Sequence, residues 1–167
     1  DDCSSRGLGD VYKRQPYSGS KEIAITEVLP YCNNDAIEPV EDWVEIRNTG
    51  QTPLNISRWS VMTADGDRRF IRTGELWTPS NQTASLVLNA NERAVFTMEK
   101  FILTGLGDAF ELLDPDGDPV SSASWTVITD CQTLMPGETA SSDWVHTLWP
   151  TPGEPEPDPA SFATKED

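Results

Sequence analysis

Asp42-Trp43-Val44-Glu45-Ile46-Arg47-Asn48-Thr49-Gly50 is the stretch on which the fold turns. Val44 and Ile46 fall on one side of an extended chain, while Trp43, Glu45 and Arg47 fall on the other. That period of two predicts a half-buried strand over 42–48. Asn48 and Gly50 suit the turn that ends it, because left-handed backbone geometry is cheap for both residue types. Short β-type runs separated by turn residues lie on both sides of it. Before it lies Ile23–Leu29, an apolar β-branched run stopped by Pro30. After it comes Arg58–Thr63, with Trp59 and Val61 on one face, and then Arg69–Arg72 beyond the Ala64-Asp65-Gly66-Asp67 turn. Ala84–Leu88, Ala94–Met98 and Ala109–Leu113 read as further strands. Asp114-Pro115-Asp116-Gly117-Asp118 makes a hairpin connection into a strand over Val120–Val127, and a last strand is expected over Trp144–Leu148. No segment sustains a 3.6-residue period with caps. Many short strands at near-regular spacing predict an all-β sandwich or barrel.

The chain has 167 residues and a formal charge of −16, from 12 Lys and Arg against 28 Asp and Glu. Apolar residues make up 37%, enough to build a core. No apolar run is long enough to span a membrane. Ser5–Gln15 (Ser-Arg-Gly-Leu-Gly-Asp-Val-Tyr-Lys-Arg-Gln) resembles a sequencing-library adapter read in one frame, so residues 1–15 are set aside. The remainder keeps 9 basic and 25 acidic residues, still −16, and loses Cys3. Residues 16–20 read as a linker, 21–153 as the compact unit, and 154–167 as an acidic, proline-rich linker. In that last segment, Glu154, Glu156 and Asp158 alternate with Pro155, Pro157 and Pro159, and because proline lacks the N–H donor such a segment cannot join a sheet ladder. The unit is expected to be a cut-out of a longer protein.

These motifs resemble the lamin tail domain family across most of 22–153. The resemblance rests on Ile25-Thr26-Glu27-Val28-Leu29-Pro30, on 42–50, and on Pro53-Leu54-Asn55-Ile56-Ser57 with Arg58-Trp59-Ser60-Val61. It continues through Leu106-Gly107-Asp108, the 114–118 hairpin, Ser124-Trp125 and the closing Trp149-Pro150-Thr151-Pro152-Gly153. It implies an immunoglobulin-like β-sandwich in which Trp43, Asn48, Gly50, Trp59, Trp125, Pro152 and Gly153 are scaffold residues, with Trp59 anchoring the core. Such domains occur in nuclear intermediate-filament proteins and in exported bacterial and archaeal proteins. The acidity and the acidic-proline tail suit the exported kind, at the cell surface or outside the cell, with a nuclear location as the alternative by analogy.

The resemblance implies a non-catalytic interaction or spacer module whose partners are neighbouring domains and an unidentified protein or cell-surface ligand. The alternative is a ligand-binding module, for carbohydrate or for weak calcium-dependent adhesion. Trp43, Trp77, Trp144 and Trp149 are candidates for a sugar platform, or else they cover the ends of the sandwich. Asp114, Asp116 and Asp118 resemble the start of a calcium loop, but the twelfth position, Trp125, has no carboxylate, so a hairpin turn is the stronger reading. The acidic run Asp35–Asp42 adds oxygen ligands. No other cofactor is expected. Cys32 and Cys131 either pair in a disulfide, as export permits, or remain two small apolar residues. His146, the one histidine, lacks the companions of a catalytic triad or a zinc site, so no catalytic residue is assigned. Arg68, Arg69 and Arg72 form a basic patch too small, against −16, for useful nucleic-acid affinity. The sequons at Asn55 and Asn81 matter only in a eukaryotic secretory pathway.

Overall fold

The computed structural model describes residues 22–30, 32, 38–39, 41–79, 82–97, 103, 108–127, 131–136, 145–147 and 150–154. Twelve strands run in chain order among them. These are β1 (Ile23–Leu29), β2 (Trp43–Asn48), β3 (Leu54–Asn55), β4 (Ser60–Thr63), β5 (Arg68–Phe70) and β6 (Leu76–Trp77). The others are β7 (Val87–Leu88), β8 (Arg93–Thr97), β9 (Asp108–Leu113), β10 (Pro119–Trp125), β11 (Thr133–Met135) and β12 (Val145–Thr147). Six form one antiparallel sheet in the order β12-β11-β1-β2-β8-β6, and four form a second in the order β10-β9-β4-β5. β3 and β7 make a separate two-stranded ribbon.

Alternation supplies the apolar layer between the sheets. β1, β2 and β8 turn Ile25, Val28, Val44, Ile46 and Phe96 inward; the facing layer includes Val61, Phe110, Leu112 and Trp125. Trp59, just ahead of β4, is fully buried among them. Phe110 and Trp125 meet edge to face, with centroids 6.1 Å apart and planes at 70°, an arrangement the ring quadrupoles favour. The result is the immunoglobulin-like sandwich that the sequence predicts.

β1 departs from simple alternation. Ile25 pairs with Ile46, but Glu27 pairs with Glu45, so one residue is inserted between them. This bulge at Thr26 lets both Ile25 and Val28 face the core although three positions separate them.

Two expectations need correction. β2 is buried on both faces, not half-buried: Trp43, Val44, Glu45 and Ile46 are all 0% exposed. Its outer side is covered by Thr151–Gly153, and by a second small cluster of Leu29, Trp43 and Val95 with Cys32 and Trp77 against it. Trp43 is therefore not available as a sugar platform. Asn48 and Gly50 do not use left-handed geometry; positive φ occurs at Gly66, Gly117, Gly153, Asn91 and Cys131. Asn48 instead works through its amide. Nδ2 donates to the carbonyls of Thr52 (2.8 Å) and Leu88 (3.0 Å), and Oδ1 accepts from the Gly50 N–H (2.9 Å).

Candidate functional site

The most concentrated polar chemistry among the described residues lies on the outer face of β1 and β2. Glu27 and Glu45 stand directly opposite one another and are 1% and 0% exposed. Buried carboxylates are tolerated only when hydrogen-bonded or paired. Here the chain's own later segment supplies the donors. Glu27 Oε1 accepts from the Thr151 N–H (3.0 Å) and Oε2 from the Thr151 hydroxyl (2.7 Å). Glu45 Oε1 accepts from the Thr26 hydroxyl (2.7 Å) and lies 3.6 Å from Arg93 Nε; its Oε2 accepts from the Gly153 N–H (2.6 Å). Gly153 reaches that position at φ +79, where a side chain would be strained although no atom lies within 4 Å of an added Cβ. All four carboxylate oxygens are engaged, so the pair acts as a clasp for residues 151–153 rather than as an acid and a base. Sequence reasoning missed it. The donors to Glu27 come from 124 residues away, and Glu45 reads as the outward half of an alternating strand.

Next to the clasp, Cys32 and Cys131 are joined in a disulfide with S–S 1.98 Å. The topology brings them together. Val28 of β1 pairs with Leu134 of β11, and continuing that antiparallel register carries Cys32 to within one position of Cys131.

At the 114–118 hairpin, Asp114 is fully buried, and its Oδ1 accepts from the N–H groups of both Asp116 and Asp118 at 2.9 Å. Gly117 takes φ +85 there and donates to the Asp114 carbonyl. One oxygen from each of Asp114, Asp116 and Asp118 falls within 4.8 Å of the others. The three sequence candidates are thus brought together, in a turn whose geometry the Asp114 side chain sets.

Asp42, in the acidic run, accepts from the Leu103 N–H at 2.9 Å. Burial pushes its carboxyl up to about 7; the Leu103 bond opposes this and Glu41 adds to it. Glu92 moves below the usual carboxylate range, because its two oxygens accept from the side chain and backbone of Asn89.

Trp77, half-buried, lines a groove of about 480 Å³ with Gln82, Thr83, Ser85, Asn89 and Arg93. Asn55 is exposed, with its Oδ1 accepting from the Ser57 N–H (2.9 Å). The side chain of His146, all of Trp144 and Trp149, and Asn81 lie outside the described residues.

No curated protein matches the chain. Among family models, the Lamin Tail Domain matches residues 16–127, from Pro16 just past the adapter-like stretch to the end of the Trp125 strand. β11, β12 and the clasped segment lie beyond the match, yet β11 and β12 extend the same sheet and 151–153 seals its face. On this match, and on the sandwich it accompanies, the chain belongs to the lamin tail domain family of non-enzymatic immunoglobulin-like modules.

Proposed function

We propose that this lamin tail domain is an interaction and spacer module of a larger, exported multidomain protein. The observation that carries the reading is the Cys32–Cys131 disulfide, since such bonds persist in oxidising compartments. The strong acidity is in keeping with it. In the full-length protein, excising residues 22–154 should leave the chemistry of a neighbouring domain unchanged and abolish attachment at the cell surface. Loss of turnover with attachment intact would overturn the proposal.

A second reading is favoured by the groove at Trp77, where one aromatic face and several amide and hydroxyl groups suit a saccharide. Weak calcium association at Asp114, Asp116 and Asp118 belongs to the same reading. A glycan panel tests the first part: binding that disappears in Trp77→Ala supports it, and no binding to any glycan removes it. For the second, a melting temperature that rises with millimolar calcium and falls back with chelator is the supporting result.

A further inference from the structure

Trp77, Val95, Glu45 and Glu27 form one row across four strands. Trp77 pairs with Val95, Val95 with Glu45, and Glu45 with Glu27. Cross-strand partners share a face, so all four side chains lie on the outer side of the sheet. Thr151–Gly153 covers the Glu27–Glu45 end of the row. The groove at Trp77 opens over the other end. Among the described residues that line it, Gly153 alone comes from outside 76–95. The clasped segment therefore forms a wall of the groove. Glu45 holds that wall through the Gly153 N–H (2.6 Å), and it also lies 3.6 Å from Nε of Arg93, another lining residue. One buried carboxylate thus fixes two parts of the lining that are far apart in sequence.

The lining also decides the charge of what can bind. Glu92 and Arg93 are the charged side chains among these residues, and both are already matched. Arg93 faces Glu45, and both Glu92 oxygens accept from Asn89, which keeps that carboxyl ionised. The Thr78 hydroxyl donates to the Gln82 carbonyl and the Ser85 hydroxyl to the Val87 carbonyl. What remains open to a ligand is Gln82, Thr83 and Asn91, all exposed and none with a side-chain hydrogen bond to another described residue. Amides and a hydroxyl donate and accept without charge. No cation is left over to neutralise an acidic sugar, and the surrounding −16 repels one. The half-buried Trp77 ring offers an apolar surface for the C–H face of a pyranose. The volume of about 480 Å³ falls within the range of small-molecule sites.

Building on the saccharide reading of this groove, we propose that its ligand is an uncharged oligosaccharide and that Glu45 is a positioning residue for it, holding Gly153 in place as a wall that touches the bound sugar. A wall fixed before the ligand arrives spares binding the cost of ordering it. Cutting the hold on Gly153 therefore weakens binding without touching Trp77 or the open amides.

Isothermal titration calorimetry of the full chain with cellotetraose, maltotetraose and mannotetraose, and with tetragalacturonic acid as the charged counterpart, tests this. At least one neutral tetrasaccharide should bind, with Trp77→Ala abolishing the heat, and tetragalacturonic acid should give none. Gly153→Pro and Glu45→Gln should each weaken the binding about tenfold. Gly153→Pro deletes the donated N–H and cannot take φ +79, but it lies outside every strand, so it stays readable if Glu45→Gln fails to fold. In the isotope-labelled parent, the bound sugar should shift the Gly153 amide resonance, which a purely structural clasp would not produce. If no neutral tetrasaccharide binds, or if Trp77→Ala leaves binding intact, the saccharide reading falls and the proposal with it. Binding that requires Trp77 but survives unchanged in both clasp variants, or leaves the Gly153 amide unmoved, overturns the positioning role alone. Tetragalacturonic acid binding as tightly as the neutral sugars overturns the uncharged class.

Discussion

Glu45 holds its carboxylate between Thr26, Arg93 and Gly153 with none of its surface exposed. Removing one side of a buried ion pair leaves the other groups desolvated, which costs about 3–5 kcal/mol. Glu45→Ala should lose that much in urea denaturation, with Glu45→Gln losing less because an amide oxygen still accepts from one donor. Asp42 gives a pH signature. Its carboxyl titrates at an ordinary value of 3.8 when unfolded and at about 7 when folded, chiefly through burial. Unfolding between those values releases a proton. The stability tied to this group is therefore fully present below about pH 4 and lost as the pH rises through 7. Asp42→Asn keeps an acceptor for the Leu103 N–H without the ionisation. In urea titrations the variant should gain on the parent as the pH is raised from about 4 to about 8; a pH-independent difference would rule the account out.

At the scale of elements, Asn48 ties the end of β2 to two other places: the 50–52 turn and the β7 carbonyl of Leu88. Asn48→Ala removes three hydrogen bonds at a buried position and should cost about 2–3 kcal/mol, read from the denaturation midpoint. β1, β2 and the 114–118 hairpin were legible in the sequence because their signals are local: an apolar β-branched run stopped by Pro30, a period of two, and the turn chemistry of Asp114 and Gly117. β3, β6 and β11 were not. They are two or three residues long and become strands only through partners, as Leu76 and Trp77 do against Phe96 and Val95. The bulge at Thr26 was hidden because Ile23–Leu29 reads as one uninterrupted β-branched strand, with nothing local to mark an inserted residue. The candidate site divided in the same way. Asp114, Asp116 and Asp118 stand close together in sequence and in space. Glu27 and Glu45 acquire their role from residues more than a hundred positions later, which no local pattern records.

For the molecule as a whole, −16 is shared between the sandwich and its acidic tail; the two opposed acids of β1 and β2 are satisfied internally, and Arg68 and Arg69 lie together on the edge strand β5. The Cys32–Cys131 bond spans a sequence separation of 99, so on the chain-entropy model its loss costs roughly 4–5 kcal/mol. Thermal melts with and without reductant should show a clear fall in midpoint, and Cys32→Ser/Cys131→Ser should melt at the reduced value whether or not reductant is present. The bond's position also determines how the module bears tension. A pull applied between Glu22 and Glu154 passes through the two sulfurs and bypasses every residue between Cys32 and Cys131. Once the contacts of Thr151 and Gly153 with Glu27 and Glu45 open, the load falls on β1, β11 and β12, the strands that lie outside the covalent loop. Under continued force the chain can lengthen only by what lies outside the covalent loop, so most of the sandwich is shielded from stretching.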